Sequence, residues 1–284
     1  MGNWWKQPII LVCVCILCIS PAVAQKKNEL RVATYNIRYD TPKDSLNAWS
    51  HRKDNVKALI MYHNFDIVGT QEALARQLKD LGEMLEYAYF DGGQNDGLSI
   101  GGHVSIFFKR DRFKQLDSGV FWLNETPNKR GKGWDATNRN RACLWVKFHD
   151  VNTEKIFFLF NVHFDYDGVI ARTESAKLMV QKIKEIAGKV PVICTGDFNA
   201  IPKHEPIQIM QTILNDAYAV TIMPPYGPVG TYNGFKFDAS LKGRIDYIFV
   251  SDHFSVLKYA TLTDSKNQRY PSDHLPVVVD LLLE

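Results

Sequence analysis

At 284 residues, with 45% hydrophobic and 23% charged side chains, the chain has a globular composition and enough length for one large, well-buried domain, which excludes an intrinsically disordered protein. Charge is nearly balanced: without residues 1–24, which hold Lys6 alone among charged residues, 33 basic side chains face 31 acidic ones, a net of +2. That balance argues against tight nonspecific binding of long nucleic acid, which normally needs a basic stripe, while leaving transient contact open.

The first 24 residues read as a secretory signal peptide. Lys6 is followed by an 11-residue apolar run from Ile9 to Ile19, then Ser20, Pro21 and the small-residue triplet Ala22, Val23, Ala24, after which cleavage is expected. The run is too short for a membrane anchor, which needs ~20 residues. Lipoprotein processing at Cys13, Cys15 or Cys18 fits less well, because bulky Val14 or Leu17 precedes the cysteines best placed for it. Residues 25–284 are then expected to form one exported domain, periplasmic or secreted, monomeric and without a stable membrane span.

Beyond the signal, apolar runs rich in Val, Ile, Phe and Leu predict strands at Leu30 to Asn36, Asp66 to Thr70, Val104 to Lys109 and Ala142 to Phe148. Four more are predicted at Lys155 to Val162, Val190 to Gly196, Ile245 to Val250 and Pro276 to Leu283. Apolar residues spaced by three and four predict amphipathic helices over Asp54 to His63 and Val169 to Ala187. Few long helices separate consecutive strands, so two packed mixed sheets covered by helices fit better than a doubly wound parallel sheet. Asn124 to Asn140, with Pro127, Gly131, Gly133 and several basic residues, reads as a long loop, either functional or simply an exposed connection. Cys143 and Cys194 are the cysteines beyond residue 24; two buried free thiols are at least as well supported as a disulfide, and without a Cys-x-x-Cys pair a structural zinc site is not expected.

The chemistry lies in where the polar residues fall. Asn36, Glu72, His163, Asp197 with Asn199, Asp246, and Asp273 with His274 each sit at or near the end of an apolar run. Strand ends converge on one sheet edge, and a core does not tolerate so many polar groups without purpose. Oxygen donors from Asn36, Glu72 and the aspartates suit a hard cation, Mg²⁺ or Mn²⁺. Such an ion neutralises charge at a phosphoryl group while a carboxylate activates water. In Thr195-Gly196-Asp197-Phe198-Asn199 the glycine is expected to let the chain turn sharply, with Asp197 as general base beside an orienting Asn199; taken alone, Asp-x-Asn after a strand is more often a turn. Asp246 and His274 suit a carboxylate–imidazole pair presenting a charged ring to phosphate, although each would also pass as a satisfied structural group.

In order, Asn36-Ile37-Arg38, Gln71-Glu72, His163, Gly196-Asp197-Phe198-Asn199, Arg244-Ile245-Asp246-Tyr247 and Ser272-Asp273-His274 resemble the motif series of the endonuclease/exonuclease/phosphatase superfamily, from residue 30 to the C-terminus. The resemblance implies an α/β fold, a four-layered α/β/β/α sandwich of two packed mixed sheets with the site at one edge. It also implies roles: Glu72 would bind the metal with Asn36 and Asp273, Asp197 would activate water, and Asn199 would orient water or phosphate. His163 and His274 would contact phosphate oxygens, with Asp246 behind His274. Arg38 and His163 depart from the abasic-site endonucleases and resemble pancreatic DNase and the lipid-directed phosphodiesterases, while the disulfide pattern of secreted mammalian DNases is lacking.

The expected activity is metal-dependent hydrolysis of a phosphodiester, as an endonuclease or 3′ exonuclease on nucleic acid. The alternative keeps the chemistry and changes the substrate to a phospholipid headgroup, phosphosugar or surface glycan. A third reading, a binding protein that has lost turnover, fits poorly because no motif position is missing. Further candidates for the substrate are Arg38 and Arg141, whose forked donors suit a phosphate or equally a structural ion pair, and Asp165, which would join the pocket or cap the following helix; Trp134 and Tyr232 would stack on a ring, although plain packing is the better supported role for both.

Overall fold

A computed structural model describes residues 1–2, 28–92, 103–238, 240–241 and 243–284. Of residues 1–24, read from the sequence as a signal peptide, all but the first two lie outside the described residues. Among them, two six-stranded sheets are present. The first has the order β11 (Phe254–Thr261), β12 (Val277–Leu283), β1 (Glu29–Asn36), β2 (Ile67–Gln71), β4 (Val104–Lys109), β3 (Tyr87–Phe90). The second runs β5 (Phe113–Trp122), β6 (Ala142–Asp150), β7 (Lys155–His163), β8 (Val192–Asp197), β10 (Asp246–Val250), β9 (Asn215–Asp216). Both sheets are mixed, since β1–β2 and β7–β8 pair in parallel and the other neighbours antiparallel.

Central strands are buried throughout because both of their faces are covered. Every residue of β2 and of β8 is buried. Between the sheets, Val32, Ile67 and Ile106 pack in one core with Leu144, Val146, Ile193 and Ile248. On the outer face of the first sheet, α1 (Trp49–Tyr62) and α2 (Ala75–Leu81) set Val56, Leu59, Ile60 and Leu78 against Ala33, Tyr35 and Val68. On the second, α3 (Val169–Ala187) and α4 (Glu205–Met210) set Met179, Ile183, Ile207 and Met210 against Cys143, Phe160 and Cys194. Each such aliphatic side chain stabilises the fold by roughly 1.5–3 kcal/mol through burial. The result is the four-layered α/β/β/α sandwich. Cys143 and Cys194 are free and buried, and burial pushes both thiols up, which leaves them unreactive. No helix among the described residues is long and apolar enough to cross a membrane.

Two devices place the site. The parallel pairs bring their C-terminal ends to one edge, with Asn36 opposite Gln71 and His163 opposite Asp197, while antiparallel β10 starts there, with Asp246 opposite Asp197. Just beneath, the sheets approach so closely that a Cβ on Gly69 would meet Thr195 Oγ1 at 2.3 Å and Asn161 Oδ1 at 2.6 Å. Gln71 Nε2 donates across this gap to Asn161 Oδ1 at 2.8 Å, and Asn161 Nδ2 returns a bond to the Thr70 carbonyl at 2.9 Å. These bonds lock the two sheets in register directly behind the polar edge.

Candidate active site

Asp197 is the centre of the edge. Its Oδ2 accepts from Asn36 Nδ2 at 3.0 Å and lies 3.4 Å from His163 Nε2 and 3.7 Å from His274 Nε2, while Oδ1 accepts from the Asn199 amide at 3.0 Å. Asn36 Nδ2 is also 3.4 Å from Glu72 Oε1. His274 Nδ1 is 2.9 Å from Asp246 Oδ2. The Ser272 hydroxyl donates to the Asn36 carbonyl at 2.7 Å, joining the segment ahead of the last strand to the end of the first. Residues from position 36 to position 274 are therefore one contiguous cluster.

A cleft of about 380 Å³ opens on this cluster, lined by Glu72, His163, Asp197, Asn199, Asp273 and His274. Three guanidinium groups (Arg38, Arg139, Arg141) and three phenol rings (Tyr39, Tyr166, Tyr232) form its walls. Arg38 is held by Asp44, its Nε 3.0 Å from Oδ2 and its Nη2 3.1 Å from Oδ1, and it lies over the Tyr39 ring at 4.3 Å. Arg139 lies 5.5 Å from the centroid of that ring. Tyr232 packs edge-on against His274 at 5.1 Å and is tied to it by a β-bridge.

The electrostatics follow from burial. Desolvation first, then the charges of Arg141 and His274, push His163 well below the usual histidine range, so its ring is neutral. For His274 burial acts downward too, but the Asp246, Asp197 and Asp273 carboxylates outweigh it and hold the ring well above the usual range, as the imidazolium. Burial, then the Asp246 charge, lifts the Asp197 carboxyl to about 7, near the value that suits a general base. Burial also raises Asp273.

Two carboxylates and a carboxamide are the donors a hard cation would use here. Positive charge at that spot comes from Arg38, which lies 4.0 Å from Glu72 Oε2 and 3.8 Å from Asp273 Oδ2. Glu72 Oε2 also accepts from the Tyr39 amide at 3.1 Å. The residues present thus fit a hard divalent cation, which Asn36, Glu72 and Asp273 could hold. A second grouping, Asp197, Asp246 and His274, has one ligand-capable atom from each within 4.8 Å of the others. There, however, His274 Nδ1 and Asp246 Oδ2 are committed to each other.

Some expectations change. Gly196 lies inside β8 rather than at a turn, and a Cβ there would meet the Val162 carbonyl oxygen at 2.4 Å, so glycine serves strand proximity; the left-handed turn residue is Asn199, with φ 48°. Asp165 is buried behind the cleft wall. Its Oδ1 accepts from the Asp167 and Gly168 amides at 3.0 and 2.7 Å ahead of α3, and its Oδ2 is 3.6 Å from Arg141 Nε. Trp134 does not line the cleft. Asn124 gathers the loop by donating to the carbonyls of Lys129 and Gly131, and the Trp134 amide donates to Glu125 Oε1 at 3.0 Å, which turns that stretch away. The residues of this region that reach the cleft are Arg139 and Arg141. Sequence reasoning missed Tyr39, Arg139 and Tyr166. Each adjoins a residue that it did single out or lies two away, on the same side of an extended chain.

A model of the Endonuclease/Exonuclease/phosphatase family matches residues 33–274. An endonuclease/exonuclease/phosphatase family protein from Bacteroides thetaiotaomicron is 40% identical, the match covering 90% of this chain and 98% of that one, with a TM-score of 0.84. A mannosyl-6-phosphatase of the same organism is also 40% identical, over 89% of this chain and all (100%) of that one, TM-score 0.84. Among curated proteins, the 3′-5′-exoribonuclease subunit Ccr4 of the CCR4-Not complex of Candida glabrata is 22% identical over 289 residues; that match covers 81% of this chain and 33% of the larger protein.

Proposed function

The chain belongs to the endonuclease/exonuclease/phosphatase family, a family of phosphoester hydrolases, and from that premise we propose that it is a divalent-cation-dependent phosphatase of compact phosphorylated sugars. The observation that carries this reading is the cleft itself. It is small, at the low end of the ~300–1,000 Å³ of ligand sites, and its three arginines suit the dianion of a phosphomonoester. Near-full-length similarity to a mannosyl-6-phosphatase and a net charge of +2 after residue 24 point the same way.

Asn36, Glu72 and Asp273 would hold Mg²⁺ or Mn²⁺, which when bound offsets charge developing on the phosphoryl and leaving oxygens. Asp197 accepts the proton of the attacking water at Oδ2, and Asn36 and Asn199 hold that carboxylate in place. His274, kept charged by Asp246, donates Nε2–H to a phosphate oxygen. Neutral His163 donates a second hydrogen bond, and Arg141, backed by Asp165, adds a guanidinium. Tyr39, Tyr166 and Tyr232 offer ring faces to the sugar.

A nuclease is the competing reading, favoured by the similarity to Ccr4 and by rings on which a base would stack. The mature chain is assayed with hexose phosphates, an aryl phosphomonoester, an aryl phosphodiester, DNA and RNA, with Mg²⁺ or Mn²⁺ and with chelator, against Asp197→Ala. Phosphate release from a hexose phosphate, lost in chelator and in the variant, is expected. Faster turnover of DNA or RNA than of every sugar phosphate would replace this reading with the nuclease. Export belongs to the proposal as well: the mature protein is expected to begin at Gln25, which N-terminal sequencing checks.

A further inference from the structure

The carbonyl groups gathered by Arg52 belong, Asn47 apart, to two of the three segments that would supply the cation's oxygen donors, those of Asn36 and Asp273. The guanidinium, in a residue only 3% exposed, donates to the main-chain oxygens of Ile37, of Arg38 at 2.6 Å, of Pro271 at 3.2 Å and of Asn47 at 2.8 Å. Ile37 and Arg38 directly follow Asn36, and Pro271 leads into Ser272, Asp273 and His274. The rings of Trp49 and Phe235 flank the cation, with centroids at 5.0 and 5.6 Å. All four acceptors are neutral carbonyls. Burying a charge on such partners is costly, and leucine or methionine would fill the space without that cost. A rigid planar fork, however, can tie Pro271, 219 positions from Arg52 in sequence, to the Ile37–Arg38 segment, and an ammonium cannot reproduce its geometry.

We infer that Arg52 is a positioning residue: it sets Asn36 and Asp273 against each other, so that the cation's donors are preformed instead of assembling on binding. The inference rests on the reading of the cleft as a cation-dependent phosphoester hydrolase. Arg52 touches neither substrate nor cation and acts through the backbone of residues that do.

The test uses the full mature chain as Arg52→Lys, with Ile183→Ala as a control that loosens the α3 layer far from the edge. Calorimetric Mn²⁺ titration of the metal-free proteins is combined with thermal midpoints, kcat and KM. Arg52→Lys is expected to weaken Mn²⁺ binding and lower kcat by about 10- to 100-fold, the size typical of lost outer-shell support, with KM for the phosphoester changed by less than about threefold. Ile183→Ala should bind Mn²⁺ like the wild type despite a lower midpoint. Arg52→Ala should regain Mn²⁺ binding with methylguanidinium and not with methylammonium, a readout that also serves if the lysine variant folds poorly. Mn²⁺ affinity in Arg52→Lys equal to that of the control would overturn the inference. A wild-type protein that binds no Mn²⁺ would remove the cation-dependent reading on which the inference rests, and the wild-type titration reports that outcome separately.

Discussion

His274 Nδ1 and Asp246 Oδ2 lie 2.9 Å apart, Asp246 fully buried and His274 meeting the cleft, and this contact sets the charge on the ring that faces the cleft. Burial pulls the imidazole pKa down, and the Asp246, Asp197 and Asp273 charges more than reverse it.

Asp246→Asn keeps a polar side chain of the same shape and removes the nearest of those charges. In the metal-free protein the His274 titration midpoint is expected to fall toward the ordinary value of ~6.5, as read from ring resonances by NMR. The raised folded-state pKa means that the pair's stabilisation is complete below that ordinary value and drains away as pH climbs through the raised one. The gap in thermal midpoint between wild type and variant should therefore be widest below neutrality and close at alkaline pH. Turnover should drop by about 10²-fold as the imidazolium is lost. An unchanged midpoint in the variant would show that Asp246 does not govern this ring.

Asp197 faces the opposite consequence of burial. Its carboxyl is raised to about 7 by desolvation and then by Asp246, so its contribution to stability is present below the unfolded value of ~3.9 and is lost as pH rises toward 7. Asp197→Asn removes that loss. The metal-free variant should melt a few degrees above wild type at pH 8 and show no such gain at pH 4, while phosphate release falls by about 10³-fold. A variant that melts below wild type at pH 8 would mean that the Asn36 and Asn199 hydrogen bonds outweigh the buried charge.

The legible part of the molecule is the part whose strands are covered on both faces. β1, β2, β4, β6, β7, β8, β10 and β12 read as apolar runs, and the site gathers residues at the ends of β1, β2, β7, β8 and β10. β5 escaped because it is an edge strand: Lys114 to Asp117 are exposed, and the period-two signal is interrupted by a register shift between Gln115 and Asp117. β11 is similarly broken between Val256 and Lys258. The helix expected from Asp54 begins at Trp49, a start that no local cap marks in the sequence; Ala48 offers no side-chain acceptor, and the Trp49 amide donates instead to Asp40 Oδ1, nine positions earlier in the chain, at 3.2 Å. Which side chains form the cleft walls was the least legible feature. Tyr39 and Arg139 meet only through the folded loop, a contact that no local spacing encodes.

Tyr232 and Trp134 were equal candidates for stacking on a substrate ring, and the structure separates them. Tyr232 lines the cleft, half exposed (51%), with its ring against His274, whereas Trp134 lies on the loop outside it. Tyr232→Ala is expected to lower kcat/KM for a sugar phosphate by about 5- to 30-fold, the ~1–2 kcal/mol of one ring contact. Trp134→Ala should stay within about twofold. Comparable losses in both variants would place substrate farther out, over the loop.

Glu72 combines a proposed cation ligand with a backbone that a side chain disfavours. Its φ is 69°, and Arg38 and Asn199, both lining the same cleft, also have positive φ, at 57° and 48°. Non-glycine residues in this region cost of order 1–3 kcal/mol and persist where the surroundings impose them. Here the imposing contacts are the Glu72 amide donating to the His103 carbonyl at 2.8 Å and the Tyr39 amide donating to Glu72 Oε2 at 3.1 Å. At most positions glycine is less stable than alanine, because it adds freedom to the unfolded chain. At Glu72 the order should reverse. Metal-free Glu72→Gly is expected to be more stable than Glu72→Ala by about 1 kcal/mol in urea unfolding, because glycine relieves the strain that alanine keeps. Both variants should lose Mn²⁺ binding in calorimetry, which separates the loss of the ligand from the loss of the fold. Alanine more stable than glycine at this position would mean that the left-handed backbone there carries no strain, and that the carboxylate is held by its hydrogen bonds alone.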